Sequence, residues 1–214
     1  MSRAAALLAL ALAAPARGED FAVDPDAGNN TFSAVFDAAL GERINAVSSA
    51  VGCQIRYDER AGTASGRCSV PLSSIRVDND DTKSDHFRQW ATNKRSDPRE
   101  CRLEAVFDGV KVGPLAPESA VPFRAQIPFQ VCGRGRSDGR SETLSGTAVL
   151  FPPGTYGERK TVRIRATLPG FDRDAYRIGP RYTEGWLARV QSLAKVVAES
   201  GTVELSLFAK SKAP

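Results

Sequence analysis

Apolar and polar residues alternate with a period of two through most of this chain, and that pattern limits the fold more than any other feature. In Leu103–Phe107 the odd positions are apolar and Glu104 faces the other way. The odd positions of Val121–Val131 are apolar as well. Successive side chains of a strand point to opposite sides of a sheet, so such a strand has one dry and one wet face. Thr31–Phe36, Gln54–Tyr57, Thr147–Phe151, Val162–Leu168 and Val203–Phe208 read the same way, bounded by Gly, Pro, Asn or Asp. Many half-buried strands are satisfied together by an antiparallel sheet curled around its own interior. The expected class is therefore all-β, an antiparallel barrel. Pro122 and Pro128 interrupt the longest run, and since proline donates no ladder bond, a bend or bulge is expected there.

Two segments leave the strand rhythm. Thr82–Asn93 carries Phe87 and Trp90 three apart, on one face of a short helix. Trp186–Ala198 places Trp186, Leu187, Val190, Leu193, Ala194 and Val197 at helical spacing, as an amphipathic helix packed on the barrel. Its polar face has few basic residues, which disfavours membrane-surface binding.

Arg3, the apolar run Ala4–Ala14 and the small residues of Ala14-Pro15-Ala16 form a secretory signal over residues 1–16. Residues 17–214 then form one domain, periplasmic or secreted. Cys53, Cys68, Cys101 and Cys132 suit an oxidising compartment, and none belongs to a Cys-x-x-Cys pair. Folding about Glu59–Gly62 sets Cys53 opposite Cys68, with Ile55, Tyr57, Val70 and Leu72 on the same face. Folding about Gly113–Ala120 sets Cys101 opposite Cys132. There the polarity disagrees, because Cys132 shares a face with Arg124 and Gln126, and a bulge at Pro128 would repair it.

The charge is mildly basic, 29 Lys and Arg against 25 Asp and Glu, and scattered. Arg134, Arg136 and Arg140 read as a solvated loop, and no aromatic-plus-basic motif points to nucleic acid. Val77–Asp81 lacks the spaced ligands of a calcium loop and reads as a solvated acidic turn. No metal or cofactor is expected. His86, the only histidine, could anchor a helix or meet a ligand headgroup.

Several segments, in order, resemble the YceI-like family of secreted, lipocalin-like barrels associated with polyisoprenoid and other lipid binding. Phe21-Ala-Val-Asp24 resembles its opening strand, and Gly52–Asp58 its Gly-x-hydrophobic-x-aromatic-Asp strand. Val70–Ile75, Lys83–Arg88, Pro98 with Leu103–Phe107, and Phe171–Ile178 resemble later motifs. Lys83-Ser84 and Arg177 depart from the family pattern, as does the Pro-interrupted Val121–Val131. The resemblance implies an antiparallel lipocalin-like β-barrel with one or two short accessory helices, holding a long-chain isoprenoid or similar amphiphile. Contact with a membrane surface and the oligomeric state stay open.

The candidate lining residues are the inward aromatic and aliphatic positions Phe32, Phe36, Ile55, Tyr57, Leu103 and Phe107, followed by Phe123, Ile127, Phe129, Ile164 and Tyr176. His86 joins them as a candidate for a headgroup at the mouth, with a helix–barrel anchor as the commoner use of such a histidine. A second reading is a periplasmic interaction module whose core is filled by its own side chains. An enzyme has the least support, because Ser73, Ser74 and His86 have no third partner and no nucleophile motif is present.

Overall fold

A computed structural model describes residues 18–38, 41–94, 96–183 and 197–212. The signal segment expected over residues 1–16 lies outside these residues, as does the helix expected over Trp186–Ala198, except for Val197 and Ala198. Those two open a strand instead, because Val197 pairs with Ala38. The strands are β1 (Gly18–Val23), β2 (Thr31–Ala38), β3 (Arg43–Ser48), β4 (Gly52–Asp58), β5 (Thr63–Pro71) and β6 (Arg76–Val77). Helix α1 (Asp81–Thr92) follows, then β7 (Arg102–Lys111), β8 (Ala120–Ile127), β9 (Phe129–Val131), β10 (Glu142–Phe151), β11 (Thr161–Asp172) and β12 (Val197–Ser211).

All twelve strands join one antiparallel sheet. β12 is its hub: one edge pairs with β11, and the other is shared between β2 and, at its end, β1. The order β8-β10-β11-β12-β1-β4-β5-β7 makes a curved wall whose two ends come back beside each other. Hydrogen bonds do not close it. Pro122 lies in β8, which pairs with β10 alone, so its missing donor faces the free edge. Pro128 separates β8 from β9, and only β9 continues onto β7, pairing Leu103 with Val131. The wall is thus a lipocalin-like barrel with an unladdered seam. Tight curvature has a sequence cause at Gly146, where a Cβ would lie 2.8 Å from the Cα of Ala166 and strike the Arg165 carbonyl.

Both disulfides form as the hairpin arithmetic expects. Cys53 and Cys68 are direct partners across β4 and β5. For Cys101–Cys132 the register of β7 against β9 is one residue away from simple folding about the loop, as a break at Pro128 requires. Cys132 then takes a left-handed backbone (φ 51°), leaving the strand at the point where its sulfur must meet Cys101.

α1 sits beside β6 at one end of the barrel and buries Ser84, Ala91 and Thr92, with Phe87 and Trp90 half-buried against the core. The acidic run before it is not simply a solvated turn. The Asp80 side chain accepts the Lys83 amide at 2.9 Å as the N-cap, while Asp78 and Asp81 pair with Lys83 and Arg76, each at 2.8 Å. Burial raises the Asp78 pKa, but the Lys83 ammonium and the Asn45 amide outweigh it and leave the carboxyl below its usual value. Asp80→Ala should lower stability by about 1 kcal/mol, seen as an earlier urea midpoint with an unchanged slope.

Candidate functional site

The inner face of the wall lines an apolar lumen of about 120 Å³. A second chamber of about 50 Å³ lies in line with it. The two share Cys68, Ala105, Ile127, Leu144 and Leu205 in their walls. The space exists because many inward positions carry small side chains: Ala64, Ala105, Ala148, Ala166 and Ala209 stand where larger residues would fill the barrel. An apolar void of this kind stays dry and receives apolar ligands.

One end of the lumen lies under a strap of chain between β7 and β8. Val112 and Leu115 of that strap line the lumen. The Tyr57 hydroxyl holds it by donating to the Gly113 carbonyl at 3.0 Å and accepting the Leu115 amide at 3.1 Å. The Gly62 carbonyl accepts the amides of Val112 and Gly113, both at 2.9 Å. Gly62 has φ +61° and little room for a side chain, since a Cβ would come within 3.1 Å of Gly113. Outside the strap is a polar depression with Glu19, Arg56, Glu59 and Lys160, which shares Phe21, Tyr57 and Leu115 with the lumen. Lys160 pairs with Glu19 at 3.0 Å.

The opposite end is aromatic and charged. Phe129 packs edge-on against Phe171 and Tyr176 with centroids 5.6 Å away in each case, and Phe171 stacks on Tyr176 at 5.0 Å. Glu142 lines the second chamber, and its Oε1 accepts from Arg136 Nη1 and from the Tyr176 hydroxyl, both at 2.8 Å. Arg136 also forks onto Asp138 at 2.9 and 3.0 Å. The bonds to Asp138 and Glu142 raise the Arg136 pKa, and Arg136 in turn holds the Asp138 carboxyl well below its usual range. Burial first, then the bond to Glu142, pushes the Tyr176 phenol up.

The arginine loop is therefore not a solvated one as a whole. The Arg136 and Glu142 side chains are only 10% and 8% exposed, and Arg134 donates to the Ala91 carbonyl at the end of α1. Arg140 alone of the three keeps a largely exposed side chain. Charge scattered in sequence gave no sign that two of these arginines fold inward.

Of the positions expected to line the interior, Ile55, Tyr57, Phe107, Phe123, Ile127 and Ile164 surround the first chamber. Phe32, Leu103 and Phe129 border the second, which Ile127 also reaches. Phe36 and Tyr176 line neither chamber and join the aromatic end cluster through Phe171. His86 lies on the exposed face of α1, stacked on Trp90 at 6.2 Å, and lines neither chamber. Helix α1 packs beside β6, and the stacking of His86 on Trp90 fits the helix-anchoring alternative. Ser74 is engaged with Ser48 Oγ and the Pro71 carbonyl, each at 2.7 Å. The residues that sequence reasoning missed are the alanines and the strap. Period-two parity marks Ala105 and Ala148 as inward, but an alanine's contribution is the space it leaves.

Neither a protein-family model nor a curated protein sequence matches the chain. Among solved structures, the fold is similar to a polyisoprenoid-binding domain from Saccharophagus degradans implicated in plant cell wall breakdown. That likeness has a TM-score of 0.57 at 12% identity, and covers 92% of this chain and all of that one. It places the chain in the class of lipocalin-like antiparallel barrels. At this identity the likeness is one of fold, and the ligand of that domain belongs to that domain.

Proposed function

We propose that this chain is an exported, non-enzymatic binding protein that carries one amphiphile, with the hydrocarbon tail in the lumen and the polar end at the strap. The supporting observation is the first chamber, apolar throughout and divided by the strap from a depression of mixed charge. Burial of each methylene in such a space is worth about 0.8 kcal/mol, so a tail is held without any directed contact. The likeness to a polyisoprenoid-binding domain agrees with a lipid-like ligand. Two disulfides suit a periplasmic or extracellular setting.

The test is to express the chain in an oxidising compartment, extract the purified protein with organic solvent, and analyse the extract by mass spectrometry. A stoichiometric amphiphile, together with saturable displacement of a fluorescent fatty probe, is expected. A clean extract and no saturable binding would sink the carrier reading and leave an interaction module.

A further inference from the structure

We infer that the two chambers act as a length gauge, so that the preferred ligand is a single-chain amphiphile whose tail is about a dozen carbons long. This rests on the carrier reading above. Three adjacent strands give the same depth. Inward residues run from Val162 to Leu168 on β11, from Ala209 to Val203 on β12, and from Ala148 to Glu142 on β10. Six residue-to-residue steps in each case span roughly 20 Å of strand, or about 15 Å of depth once barrel tilt is allowed for, the extended length of about twelve carbons.

The far end stops the chain for two physical reasons. Phe129 stands there, backed by Phe171 and Tyr176, neither of which lines either chamber. Beside it lies the Glu142 carboxylate, held by Arg136 and Tyr176. A methylene pushed against a buried carboxylate gains no hydrophobic stabilisation and would have to disturb that ion pair. For the gauge to work, a tail must pass between the chambers beside the residues common to both, Ala105, Leu144 and Leu205 among them, and a single chain needs a narrower passage there than two tails would. At the other end, carbons beyond the strap meet a polar depression.

The experiment measures binding of n-alkylphosphocholines of about 8 to about 20 carbons by displacement of a fluorescent probe below micellar concentrations. Affinity should tighten about fourfold per methylene up to about twelve carbons and then level off. A second arm places prenyl chains of about two, three and four isoprene units on the same headgroup. It reports whether straight or methyl-branched tails are preferred, and the same levelling is expected at about three units, since the depth is common to both. Phe129→Ala should move the plateau to longer chains, and Ala105→Leu, which narrows that passage, should move it to shorter ones. Either shift alone supports the gauge if the other variant does not fold. Affinity that keeps rising to about twenty carbons would overturn the gauge while leaving the carrier intact. No binding at any length would overturn the carrier reading and the gauge with it.

Discussion

Arg136→Met is expected to destabilise the fold by about 3–5 kcal/mol, because it leaves the Glu142 carboxylate buried without its cation. The Glu142 side chain is only 8% exposed, and the Tyr176 hydroxyl would remain to bond it. The triple replacement Arg136→Met, Glu142→Leu and Tyr176→Phe should recover most of the loss, since it removes the buried charge along with its partners. Urea unfolding of the single and triple variants, compared at constant slope, separates the two outcomes. Equal destabilisation by both would mean that packing, not an unpaired charge, sets the cost. The same cluster gives a pH dependence. Asp138 titrates lower in the folded chain than its ordinary value of 3.8, so its contribution is present above that value and fades as pH falls through the depressed one.

The second large effect concerns binding. Ala148→Leu should weaken binding of a single-chain amphiphile by about a hundredfold, since the new side chain displaces about three to four methylenes of tail at about 0.8 kcal/mol each. Ala148 faces the lumen between Ile164 of β11 and Val121 of β8, so a larger side chain grows into void. The stability change should stay within about 3 kcal/mol. Ala120→Leu, on the outer surface at the start of β8, is the control and should leave affinity unchanged. Wild-type affinity in the Ala148→Leu variant would show that the lumen is not where the tail resides.

The alternation in Leu103–Phe107 and Val121–Val131 was enough to establish a half-buried antiparallel sheet, because side-chain parity is a local property of extended backbone. Cys53 opposite Cys68 was equally legible, since a short hairpin leaves only one register in which both sulfurs and the apolar face agree. Pro122 and Pro128 announced a break, and the break is where the wall stays open. Tertiary structure alone decided the rest. That β12 is shared among three neighbours, that the strap latches on Tyr57, and that Arg136 turns inward to Glu142 all depend on pairings between segments far apart in the chain. His86 shows the same limit: its residue type suggests a site, but the fold stacks it on Trp90 on the exposed side of α1, away from both chambers. Local pattern says which face of a strand is dry. How much room remains once all the dry faces meet depends on the sum of inward side-chain volumes over the curved wall, and only the assembled fold sets that sum.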